Sequence, residues 1–77
     1  MKGRDLRLRR VSAGIPGRLV CSRSRIDRSR LSNIEREYVN ASDEESVRIV
    51  QAIEELSAAK RKLTEIAAQV GWPVSAL

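Results

Sequence analysis

The side chains best equipped for chemistry in this chain are its arginines. Twelve of the fifteen cationic residues are Arg. A guanidinium is a planar fork that grips a phosphate or a guanine edge with two hydrogen bonds at once. Arg28, Ser29, Ser32, Asn33 and Arg36 fall at i, i+1, i+4, i+5 and i+8. On a helix that spacing makes one continuous polar face. Within it, Arg28 has the donors for guanine and Asn33 the donor–acceptor pair for adenine, and Ser29 beside them can contact either. Each good pair of this kind discriminates by about 1–3 kcal/mol. Arg28 and Arg30 also stand in the first turn of this segment, where cations oppose the helix dipole. A local rule broken twice at one place is where function is expected.

Other chemistries lack their residues. The chain has no His and a single cysteine, Cys21. A His-activated nucleophile, a zinc site and an intrachain disulfide all need more than that. Cys21 reads as a small packing residue. The pairs Glu44-Glu45 and Glu54-Glu55 are neighbours on a helix, so their carboxylates diverge and read as a solvated face. No enzyme activity, cofactor or metal is expected. Charge is divided along the chain: residues 1–30 carry ten cations and two acids, residues 31–77 five cations and eight acids. The first part is suited to a polyanion. Arg18 and the Gly-Ile-Pro-Gly run interrupt the apolar stretch after the basic start. No signal peptide or membrane span is expected, and the chain reads as soluble and cytoplasmic.

Four helical segments would hold these residues. Residues 3–13 read as a short basic helix anchored by Leu6, with Gly14 as its stop. Pro16 suits the first position of a second helix running to about Ser24, with Leu19, Val20 and Cys21 as its apolar face. Asp27 is a good N-cap for a third helix, and Ile26 with Leu31 makes a hydrophobic staple. Ser42 with Glu45 is a capping box opening a helical run that ends at Gly71-Trp72-Pro73. In that run Ile49, Ile53, Leu56, Lys60, Leu63, Ala67 and Val70 alternate by four and three, a heptad seam with one polar member. The preceding domain can cover only its first half. Two outcomes stay open for residues 57–70: a projecting helix that self-associates, or a break near Ser57-Ala58-Ala59 that folds the end back.

Two short helices, a tight turn and a third helix with a polar outer face make the helix-turn-helix plan. The stretch GIPGRLVCSRSRIDRSRLSNIER, residues 14–36, resembles the lambda-repressor and Cro-like (XRE-type) helix-turn-helix family. Val20 and Cys21 fall on the family's Leu-Ala pair. Ile26, Leu31, Ser32, Ile34 and Glu35 match later positions, and Arg10 matches the arginine of the first helix. The resemblance covers residues 3–56. It implies an all-α bundle of four to five helices whose third helix, residues 27–37, enters the major groove. It implies base contacts from Arg28, Ser29 and Asn33, phosphate contacts from Arg18, Arg30, Arg36 and Asn40, and an interior ion pair between Arg10 and Glu35. Three positions depart from the pattern: Gly17 replaces a common contact glutamine, and Arg25 and Glu37 occupy glycine slots. Those slots want a left-handed backbone, which costs a non-glycine residue about 1–2 kcal/mol.

The expectation is therefore a DNA-binding domain over residues 1–56 and a C-terminal helix extension over residues 57–77 that dimerises through Leu56, Lys60, Leu63 and Val70. Such a protein would be a small repressor, occupying a palindromic operator in double-stranded DNA as a homodimer, with half-sites about one helical turn apart. The alternative is a protein-interaction module, such as an antitoxin, whose acidic C-terminal helix mainly binds a partner protein.

Overall fold

A computed structural model describes residues 2–73. These residues form four helices and no strand: α1 (Gly3–Ser12), α2 (Gly17–Ser24), α3 (Arg28–Glu35) and α4 (Asp43–Val70). The fold class is all-α. Residues 74–77, the end of the expected C-terminal extension, lie outside the described residues.

α4 sets the length of the molecule. Its 28 residues span about 42 Å at 1.5 Å per residue, against an overall extent of 44 × 18 × 18 Å. The capping box starts it: Ser42 Oγ accepts from the Glu45 N–H at 3.1 Å, and Glu45 Oε1 accepts from the Ser42 N–H at 3.0 Å. Gly71, at φ 75°, ends it in the left-handed conformation that needs no Cβ. The Trp72 N–H then donates back to the Ala67 carbonyl at 2.7 Å. The helix does not break at Ser57-Ala58-Ala59, so the fold-back does not occur. That stretch holds no turn residue, and its two alanines are the strongest helix formers.

The three short helices gather on the first half of α4. Leu6, Ile15, Val20, Cys21, Ile26, Leu31, Ile34, Ile49, Ala52 and Ile53 form the core. Ile26 and Leu31, the expected staple, are both in it. Leu19 is exposed, whereas Ile15, in the loop before α2, is buried. α2 begins one residue later than expected, because Pro16 has extended backbone and serves as the N-cap of Gly17. α1 and α3 meet where Gly3 lies against the last turn of α3. A Cβ on Gly3 would come within 1.7 Å of the Ile34 carbonyl oxygen, so no other residue fits without parting the two helices.

Three cationic side chains fix α2 antiparallel to α4. Arg48 Nε donates to the Ser24 carbonyl at 3.0 Å and Arg48 Nη2 to the Arg25 carbonyl at 3.1 Å. Arg23 Nε pairs with Glu55 at 2.8 Å. Lys60 Nζ donates to the Gly14 carbonyl at 3.3 Å. Arg48 and Lys60 thus bring positive charge to the C-terminal ends of α2 and α1, where the helix dipole favours it. Of the residues expected at a dimer surface, Leu56 packs against the core, and Lys60, itself exposed, reaches the end of α1 with its ammonium group. The compact head reaches to Lys60 rather than stopping at Leu56.

Candidate nucleic-acid interface

The polar face of α3 is built from its cap outward. Asp27 is extended, and its carboxylate accepts from the Ser29 N–H at 3.0 Å. Leu31 and Ile34 turn into the core. Arg28, Ser29, Asn33 and Arg36 are left exposed on the other side, with Ser32 half-buried. No acidic side chain pairs with Arg28 or Arg36 among the described residues. The first turn of α3 holds no acid, so the Asp27 carboxylate at the N-cap faces the helix dipole beside Arg28.

Beside this face is an open cleft of about 460 Å³. Arg7 from α1, Pro16, Gly17 and Arg18 at the start of α2, and Arg28, Ser32 and Arg36 from α3 line it. Its floor is a bidentate ion pair. Arg10 Nε donates to Glu35 Oε2 and Arg10 Nη2 to Glu35 Oε1, both at 2.9 Å, and Arg10 Nη1 donates to the Ile15 carbonyl at 2.9 Å. One guanidinium thus ties together α1, the α1–α2 loop and α3. The hydrogen bonds to Glu35 raise the Arg10 pKa further above its ordinary value. Glu35 is neutralised by this pair, so the walls of the cleft are left with four arginines. The first backbone N–H groups of α2 open onto the same cleft, and such groups favour an anion. Cys21 also borders it; burial pushes its thiol pKa up, which keeps it protonated and unreactive.

Nine of the twelve arginines fall into two sets, and Arg4, Arg25 and Arg61 lie outside the cleft with no ion pair among the described residues. Arg9, Arg10, Arg23, Arg30 and Arg48 pair with acids. Arg7, Arg18, Arg28 and Arg36 line the cleft and have no ion-pair partner among the described residues. Arg30, expected as a phosphate contact, belongs to the first set. Its Nε and Nη2 bind Glu45 at 3.0 and 2.9 Å, and Nη2 also reaches the Asn40 carbonyl at 3.3 Å. Its fork therefore fastens α3 to the first turn of α4. Asn40 is exposed but lies away from the arginine cleft, in a separate shallow groove with Lys2, Arg4 and Glu37. Arg7 was not foreseen. The available signal was its spacing of three from Arg10, which puts both on one side of α1.

The Arg30–Glu45 contact makes stability depend on pH. The Arg30 guanidinium and the Ser42 backbone hold the Glu45 pKa down to about 2, from an ordinary 4.5. A carboxylate whose folded-state pKa is depressed contributes above its unfolded pKa and loses that contribution as pH falls towards the folded value. The melting temperature should therefore drop between about pH 4.5 and pH 2, and Glu45→Gln should flatten part of that slope.

Arg25 and Glu37 keep the left-handed backbone of the usual glycine slots, at φ 59° and φ 63°. The turns are not reshaped, so the strain is retained. Glu37→Gly should raise the unfolding free energy by about 1 kcal/mol, seen as a melting temperature higher by roughly 4–8 °C for a domain of this size. No protein-family model, curated protein or solved structure matches the chain.

Proposed function

We propose that the chain is a sequence-specific, double-stranded DNA-binding regulator, acting by occupancy of its operator as a homodimer. In this reading α2, the Arg25–Asp27 turn and α3 form a helix-turn-helix, and α3 enters the major groove. Arg28, Ser29 and Asn33 read base edges. Arg7, Arg18 and Arg36, with the N-terminus of α2, hold the phosphate backbone.

The observation that carries the reading is the division of the arginines. Arg9, Arg23 and Arg30 are matched with carboxylates of α4 and Arg10 with Glu35, whereas Arg7, Arg18, Arg28 and Arg36 surround one open cleft with no acidic partner among the described residues. Guanidinium forks left unpaired beside an exposed Asn–Ser–Arg face suit a ligand that supplies both phosphates and base edges. The scarcity of aromatic residues, one Trp and one Tyr, disfavours single-stranded nucleic acid, which is bound by stacking. The acids of α4 oppose phosphate contact on that side and so orient the head.

Salt titration of duplex affinity tests the backbone contacts. Each neutralised phosphate contributes about −0.9 to the slope of log K against log salt. Three arginines per head predict a slope of about −3 per head, and Arg18→Ala should remove about one unit for each head bound. Arg30→Ala should leave the slope unchanged. A slope near zero would reject the reading.

A further inference from the structure

α4 outruns the head that packs on it. Beyond Lys60, Leu63 is 54%, Ile66 47%, Val70 72% and Trp72 57% exposed, while Ala67 is buried among them. We propose that a second copy of this chain covers this stripe, with the two α4 helices antiparallel and the two heads at opposite ends. The proposal rests on the homodimer reading above and is independent of DNA binding.

The occupant and its direction follow from shape and charge. The core row Ile49, Ile53 and Leu56 and the outer positions Leu63 and Val70, exposed on either side of the buried Ala67, belong to one heptad seam. α1–α3 therefore stand on the same side of α4 as the stripe. Paired helices lie about 8–10 Å apart. A parallel partner would drive its own head into this one, whereas an antiparallel partner carries its head past the end of the stripe. Charge agrees. Lys60, Arg61 and Lys62 cluster at the inner end of the exposed segment, and the last turn of α4 contains no cation. Antiparallel pairing sets each basic cluster beside the negative C-terminal end of the partner subunit's helix; parallel pairing stacks the two clusters together. About the two-fold axis, Leu63 then meets Val70 of the partner subunit. Such an interface is self-complementary and closes at two copies.

The paired segment is about two heptads long, short of the three to four that mark a sustained coiled coil. Association is therefore concentration-dependent. Sedimentation without DNA should show a monomer–dimer equilibrium, with Trp72 emission shifting to the blue as dimer forms. Leu63→Asp should weaken association at least about a hundredfold, because the dimer loses two buried side chains. Leu63 and Val70 are exposed, so both variants keep the fold, which circular dichroism checks. Direction is read by disulfide trapping under oxidation. A mixture of Leu63→Cys and Val70→Cys chains should cross-link to each other, with the wild type, carrying only buried Cys21, as control. A monomer at every soluble concentration would overturn the proposal. Cross-linking of Leu63→Cys to itself, with no mixed product, would overturn it equally. Loss of DNA binding in a chain that still dimerises would reject the functional reading and leave this one standing.

Discussion

Arg10→Ala should cost the fold a large share of its stability. The Arg10 and Glu35 side chains are only 16% and 8% exposed. Their three contacts join α1, the α1–α2 loop and α3. Removing Arg10 strands the Glu35 carboxylate beneath the cleft and leaves the Ile15 carbonyl without that donor. Breaking a buried pair on one side costs about 3–5 kcal/mol. A domain of this length has a total stability of only about 4–12 kcal/mol, so the loss takes a large share of it. Glu35→Ala should be comparably damaging, because it buries an unmatched guanidinium. The penalty comes from the partner left behind, and a double substitution tests that cause. Arg10→Met with Glu35→Leu should recover much of the loss, since apolar replacement of a whole buried pair is often neutral or better. Urea denaturation of the two single variants and the double variant measures all three. A double variant as unstable as the singles would show that the geometry of the pair, rather than its desolvation, holds the helices.

The second large effect concerns binding with the fold intact. Arg28→Ala combined with Asn33→Ala removes two exposed side chains that make no side-chain hydrogen bond or ion pair among the described residues, so thermal stability should change by less than about 0.5 kcal/mol. Each side chain is assigned a bidentate base contact worth about 1–3 kcal/mol. Together they should weaken operator binding by roughly 30- to 20,000-fold. Binding to unrelated duplex should fall far less, because the phosphate contacts of Arg7, Arg18 and Arg36 remain. Parallel titrations of operator and scrambled duplex separate the two terms. Equal losses on both would mean that α3 supplies charge without reading sequence.

Much of the scaffold was legible because its signals are local. Ser42 and Glu45 are three residues apart, Asp27 caps its own helix, and Gly71-Trp72-Pro73 ends α4 with chemistry contained in three residues. The Arg10–Glu35 pair came from resemblance alone, since residues 25 apart carry no local signal of contact. The same distance problem hid the role of Arg30. In sequence it is one more arginine of the third helix, and only the fold brings Glu45, 15 residues on, under its fork. The seam of α4 reads as one row in the sequence, and a heptad repeat looks the same whether it faces its own domain or another chain. The pattern alone therefore does not show that Leu56 packs on the core or that Lys60 reaches the Gly14 carbonyl. Arg7 was overlooked because α1 has one buried residue, Leu6, which leaves its facing poorly defined by pattern.

The central claim is that α3 reads DNA sequence through Arg28 and Asn33. Selection of bound duplexes from a random pool, run in parallel on the wild type, Arg28→Ala and Asn33→Ala, tests it most directly. The wild type should enrich a short motif containing guanine and adenine at fixed positions. Arg28→Ala should lose preference at the guanine alone, and Asn33→Ala at the adenine alone. A pool that stays random, or a motif that both substitutions leave unchanged, would contradict the account.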